Sequence, residues 1–105
     1  MIHLKKAPSY YPSESGERFM FKLSHDEMIR RFGAAHRLMD SNDDEPGPCE
    51  YWGYDVDGHA LLIVFHFAIP DGPAAIVVSS QADTDRLIDV LGVRDIVVWR
   101  SEATT

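Results

Sequence analysis

A chain of 105 residues is long enough for one domain with a modest core, and its hydrophobic fraction of 45% and charged fraction of 26% exclude wholesale disorder. The formal net charge of −7 disfavours nucleic acid as a ligand, because phosphate binding needs Lys and Arg. The longest apolar stretch, residues 60–69, is too short to span a bilayer, and the first 18 residues contain no apolar run of signal-peptide length.

The chain opens with a segment that lacks any sustained periodicity. Residues 1–17 are rich in Pro, Ser, Tyr and Glu, and we predict a loosely held N-terminal arm followed by a single domain over residues 18–105. The alternation in residues 19–23 predicts a strand whose residues Phe19, Phe21 and Leu23 face inward.

Each half of the chain contains a short capped helix that follows a strand. Ser24 and Asp83 are residues that cap helix N-termini, and Gly33 and Gly92 suit helix C-termini. The apolar residues of each helix share one face, which consists of Met28, Ile29 and Phe32 in the first and of Leu87, Ile88 and Leu91 in the second. Each helix is therefore expected to pack against the sheet.

The remaining segments are predicted strands. Residues 50–55 and 59–69 form a hairpin around a tight Asp-Val-Asp-Gly turn. Residues 34–40 either prolong the first helix or pair as a strand with 50–54 across an acidic loop, and we prefer the strand because Gly33 suits a helix end. Further strands are expected at residues 75–79 and 96–99. We therefore predict an α+β fold: an antiparallel sheet of four to six strands with two short helices packed on one face.

The long strand is apolar on both of its faces. Leu61, Ile63, Phe65 and Phe67 share one face, whereas Ala60, Leu62, Val64 and His66 share the other. Two short helices can cover only one face, so something else must shield the second. The alternatives are the N-terminal arm with Tyr10 and Tyr11, a second copy of the chain, or a different protein.

The net charge is concentrated in residues 40–57, which contain seven acids and no base, whereas the rest of the chain has ten of each. A basic partner protein is the natural complement of such a segment. The alternative is a solvated loop that only aids solubility. The aromatic residues beside these acids are candidates for partner contacts, with one set in the core and the other forming anchors within an acidic rim. The predicted partner-binding residues are Asp40, Asp43, Asp44, Glu45, Glu50, Tyr51, Trp52, Tyr54, Asp55 and Asp57.

We find no sequence pattern typical of an enzyme or of a cofactor site. The single cysteine, Cys49, excludes an internal disulfide, and the carboxylate of Glu50 beside it opposes thiolate formation. Residues 40–45 match a calcium loop at its first three ligand positions, but Glu45 replaces the required Gly and Tyr51 replaces the final Glu. We therefore predict no catalytic residue, no metal site, no cofactor and a cytoplasmic location.

Residues 23–67 contain a capped helix ending in Phe-Gly, an acidic gap, the stretch EYWGYDVDG and a long apolar strand. This pattern resembles the small acidic α+β immunity proteins that bacteria encode beside contact-dependent or type VI secreted toxins. It is also similar to helix–hairpin folds of the β-lactamase-inhibitor type, which likewise bind proteins. The resemblance implies a protein that binds a toxin domain and blocks its active site or substrate path.

Charge and resemblance together predict a non-enzymatic immunity protein whose partner is a basic cognate toxin domain. The alternatives are a homodimeric α+β domain that binds a small ligand or regulates another process, and an enzyme with an unrecognised site. A neighbouring gene for a secreted toxin would distinguish the first of these from the others.

Overall fold

The computed structural model describes residues 4–39, 48–67 and 72–101. Their elements are, in chain order, strands β1 (Lys5–Lys6) and β2 (Gly16–Lys22), helix α1 (His25–Phe32), strands β3 (Arg37–Met39), β4 (Cys49–Val56), β5 (His59–His66) and β6 (Ala74–Ser79), helix α2 (Thr84–Leu91), a 3-10 turn (Arg94–Ile96) and strand β7 (Val97–Arg100). Among these residues no helix has the length and hydropathy needed to cross a membrane.

All strands belong to one antiparallel sheet in the order β1-β4-β5-β6-β2-β7, and β3 also pairs with β4. The α+β prediction is confirmed. The described residues form seven strands, one more than the predicted maximum of six, because two short strands share the outer edge of β4. β3 is the predicted strand within residues 34–40. β1 lies inside the predicted arm, where Lys5 and Lys6 pair with Asp55 and Tyr54.

The hairpin between β4 and β5 turns at Asp57 and Gly58, as the sequence predicts. Both residues have positive φ, 55° and 83°, which is the conformation of a tight two-residue hairpin turn. A side-chain oxygen of Asp55 accepts a hydrogen bond from the Gly58 N–H at 3.0 Å. This turn sets the register that pairs Cys49 with His66 at the far end of the hairpin.

Both helices pack on one face of the sheet, which we call the helix face. The core there combines Met28 and Phe32 of α1 and Leu87, Ile88 and Leu91 of α2 with inward side chains of β2, β4, β5 and β6. Ile29 differs from its prediction because it is 37% exposed. Met28 and Phe32 lie four residues apart on one helix stripe, and Ile29 is rotated away from that stripe.

The predicted helix caps are present. The Ser24 hydroxyl accepts a hydrogen bond from the Glu27 N–H at 3.2 Å, and the Asp83 carboxylate accepts one from the Arg86 N–H at 3.1 Å. Gly33 and Gly92 follow the last helical residues with φ of 80° and 68°, a backbone conformation that favours glycine. Local chemistry thus fixes both ends of each helix.

Replacing Ser24 with alanine is expected to lower the free energy of unfolding by about 1 kcal/mol, because the Glu27 N–H loses its side-chain acceptor. Urea denaturation followed by circular dichroism measures this loss. Ser13→Ala is the matched control, since Ser13 is exposed and lies outside the helices. Equal stability of the two variants would contradict the role of the cap.

Candidate protein-binding surface

Two of the three predicted contact aromatics lie in the core. Trp52 and Tyr54 are 0% and 3% exposed on the helix face. The Trp52 indole N–H donates to the Gly33 carbonyl oxygen at 3.2 Å, and the Tyr54 hydroxyl donates to that of Phe32 at 3.3 Å. Burial raises the pKa of Tyr54 to about 12. Both side chains therefore satisfy carbonyls at the end of α1, and neither presents surface to a partner.

The third aromatic, Tyr51, lies on the opposite face of the sheet, which we call the open face because neither α1 nor α2 covers it. Tyr51 is nevertheless only 1% exposed. The guanidinium carbon of Arg37 lies 4.0 Å from the centroid of its ring and 4.5 Å from that of Tyr10. Arg37 also donates to the Ser9 carbonyl oxygen at 2.8 Å. Arg37 thus ties the arm to Tyr51 and keeps this aromatic away from a partner.

The arm crosses the open face directly over Gly53. A Cβ at Gly53 would lie only 2.6 Å from the carbonyl oxygens of Ala7 and Pro8, so only glycine fits under the arm. The Ala7 N–H donates to the Gly53 carbonyl oxygen at 3.0 Å. Leu62, the neighbour of Gly53 on β5, is 0% exposed. Of the three covers considered, the arm is the one that shields this part of the sheet.

His36, which immediately precedes β3, binds the same residue of β4 over which the arm crosses. Its ring Nδ1 accepts a hydrogen bond from the Gly53 N–H at 2.9 Å. Burial lowers the pKa of His36, and the positive charge of Lys6 lowers it further. The neutral ring that this favours is the form that can accept the Gly53 hydrogen bond.

The described acids of the predicted site have partners within the chain. Glu50 lies 2.8 Å from a ring nitrogen of His25, and Asp57 pairs with Arg86 at 2.9 Å. The hydrogen bond from Arg86 lowers the pKa of Asp57. Asp55 caps the hairpin turn. The remaining predicted acids, Asp40, Asp43, Asp44 and Glu45, lie outside the described residues.

Cys49 has a neighbour that its sequence context did not reveal. The β4–β5 register places Cys49 opposite His66, with the thiol sulfur 3.4 Å from the ring Nδ1. The thiol is 1% exposed and therefore closed to substrates from solvent. Within the described ranges, no three His, Cys, Asp or Glu residues are grouped as metal ligands.

Beyond the arm's crossing over Gly53, the open face holds a groove that the sequence did not predict. It consists of two adjacent cavities of about 360 and 280 Å³ that share Glu17 and Ile76. The first cavity is also lined by Tyr11, Ser15, Gly16, Val64, His66 and Val78, and the second by Met20 and Trp99. The groove thus runs across β5, β6, β2 and β7.

Two bulges decide which side chains line the groove. Simple alternation would place Glu17 with Phe19 on the helix face, but the register shifts between them, so that Glu17 pairs with Val78 and Phe19 with Val77. A second shift in the pairing of β2 with β7 places Trp99 opposite Met20 on the open face. Bulges re-aim side chains in this way, and a one-dimensional pattern does not show them.

Comparisons with protein-family models, with curated proteins and with solved structures found no match to this chain. Its function is therefore inferred from the charges and surfaces described above.

Proposed function

We propose that this chain is an immunity protein, an inhibitor that neutralises a cognate secreted bacterial toxin through tight protein–protein binding in the cytoplasm. The observation that carries the proposal is the charge distribution. No Lys or Arg occurs between Arg37 and Arg86, and residues 40–57 alone contain seven acids. A basic toxin domain, such as one with a cleft for nucleic-acid phosphates, has the complementary charge.

The ion pairs narrow down which acids are available to a partner. Glu50 lies within hydrogen-bonding distance of His25, and Asp57 is paired with Arg86, so both carboxylates already have partners within the chain. Four acids in residues 40–45 supply most of the remaining negative charge of the segment. They belong to the connection between β3 and β4, whose flanking residues Met39 and Cys49 pair with each other at one end of the sheet. We propose that this end faces the toxin and blocks its active site or substrate path.

The test is the kinetics of binding to a toxin recovered with the chain as bait from its source cell. Raising the salt concentration from low to about 0.5 M is expected to slow association by one or more orders of magnitude and to change dissociation less, because salt screens long-range attraction. The variant Asp43→Asn, Asp44→Asn, Glu45→Gln is expected to reproduce much of this slowing at low salt. Stopped-flow fluorescence measures both rates.

A control variant removes the same charge elsewhere, with Glu14→Gln, Asp89→Asn and Asp95→Asn, all of which are exposed. It is expected to slow association less, since the charges lie outside the acidic segment. If the triple variant in residues 43–45 binds the toxin and protects against it as well as the parent does at low salt, the acidic segment only aids solubility. The electrostatic proposal would then be wrong.

A further inference from the structure

We propose that the groove on the open face binds an extended segment of another protein, in which a Lys or Arg lies between two apolar side chains. This second interaction surface is separate from the acidic segment and does not depend on the partner being a toxin. The proposal combines the mainly apolar lining of the groove, the position of Glu17 and the length of the groove across the strands.

The groove is lined mainly by apolar side chains, with Ser15, Glu17 and His66 as polar members, and an aromatic side chain lies at each end. Ile76 lies between the two cavities, Val64 and Val78 line the first, and Met20 lines the second. Tyr11 and Trp99 remain 53% and 45% exposed at the two ends. Partly exposed aromatics beside apolar cavities are typical of protein-binding surfaces. Binding buries their large apolar area with little loss of side-chain conformational entropy.

Glu17 gives the groove its charge selectivity. It is exposed, borders both cavities and has no ion pair or hydrogen bond within the described part of the chain. Carboxylates on α2 differ, since Asp85 and Asp89 pair with Arg94. An unpaired carboxylate between apolar side chains favours a ligand that brings a cation to it. The bulge between Glu17 and Phe19 turns the Glu17 side chain away from the helix face and toward the groove.

The same carboxylate argues against other occupants. A second copy docked face to face about a two-fold axis would bring two Glu17 carboxylates together near the centre of the interface, which like-charge repulsion disfavours. Nucleic acid would place phosphates against Glu17 and is disfavoured for the same reason. A cationic segment of a different protein meets both the apolar and the charged requirement.

The length of the groove sets the spacing in the bound segment. From β5 to β7 there are three inter-strand steps, or roughly 14 Å at about 4.8 Å per step. An extended chain covers about 13 Å in four residue steps, and its alternate side chains point the same way. We therefore expect apolar side chains at the first and fifth positions and Lys or Arg at the third.

The test is selection of random twelve-residue peptides, displayed on phage, against the immobilised full chain. Enriched peptides are expected to share the apolar–x–basic–x–apolar pattern. A synthetic peptide of the enriched sequence is expected to bind Glu17→Gln at least tenfold more weakly and to lose binding to Ile76→Asp, as measured by isothermal titration calorimetry. Glu14→Gln is the matched control, because Glu14 is exposed and does not line the groove, and its affinity should equal that of the parent.

Several results would overturn the proposal. They are a selection without enrichment, enriched peptides that lack a basic residue, and equal affinity for Glu17→Gln and Glu14→Gln. Sedimentation showing a stable dimer that Trp99→Ala dissociates would instead assign the groove to a second copy of the chain. Each outcome is independent of the toxin kinetics, so the groove and the acidic segment are tested separately.

Discussion

Replacing Trp52 with alanine is expected to lower the free energy of unfolding by about 3–5 kcal/mol, the range for losing a large buried aromatic side chain. Trp52 is 0% exposed, its ring packs 6.4 Å from that of Phe32, and its N–H binds the Gly33 carbonyl oxygen. The variant therefore leaves a cavity beneath α1 and removes a partner at the end of this helix. Urea denaturation followed by far-ultraviolet circular dichroism measures the loss.

The other tryptophan of the chain provides the control. Trp99 is 45% exposed on edge strand β7, so Trp99→Ala is expected to cost less than about 1 kcal/mol. If both variants lose the same free energy, Trp52 does not have the core role described here. If Trp52→Ala keeps its stability but dissociates faster from a partner, Trp52 is the interface anchor that its sequence context first suggested.

Replacing Gly53 with alanine is expected to displace the arm and to lower the free energy of unfolding by about 1–3 kcal/mol, the usual cost of overpacking. The added methyl group would meet two backbone oxygens at 2.6 Å, and backbone cannot turn aside as a flexible side chain can. Displacement would break the pairing of β1 with β4 and uncover Leu62. Faster trypsin cleavage after Lys6, together with a lower denaturation midpoint, would report this change.

Gly16→Ala is the matched control for the arm. A Cβ at Gly16 would meet its nearest atom, Cζ of Arg18, at 3.9 Å, an ordinary contact. Its stability and its rate of trypsin cleavage are expected to equal those of the parent. A Gly53→Ala variant as stable and as resistant as Gly16→Ala would show that the arm does not lie over Gly53.

The helices and most of the strands could be predicted because their determinants are local. Ser24 and Asp83 accept hydrogen bonds from N–H groups only three residues away. The hairpin turn depends only on the positive φ of its own two residues, Asp57 and Gly58. The burial of Tyr51 could not be predicted in the same way. Alternation showed that Tyr51 and Trp52 face opposite sides. The Tyr51 ring is covered by Arg37 of β3, which in turn contacts Tyr10, about forty positions before Tyr51 in the chain.

The groove could not be predicted from the sequence for a related reason. The position of Glu17 depends on a bulge in its pairing with β6, some sixty residues further along the chain. An alternating pattern instead assigns Glu17 to the helix face beside Phe19. For the acids of residues 40–57, the sequence shows how many there are but not which have partners. The pairing of Glu50 and Asp57 depends on where the fold places His25 and Arg86.

The place of β2 in the sheet also has a consequence for how the chain folds. β2 occupies residues 16–22, yet both of its neighbours, β6 and β7, come from the last third of the chain. At about 5–20 residues per second, a ribosome needs on the order of 10 s to add the strands that β2 requires. Phe19 and Phe21, both 0% exposed in the finished domain, stay without their sheet partners during that interval. We therefore expect the domain to complete its sheet only after β7 has been synthesised. Folding should also be slow for a domain of this size, because the contacts of β2 with β6 and β7 close long loops.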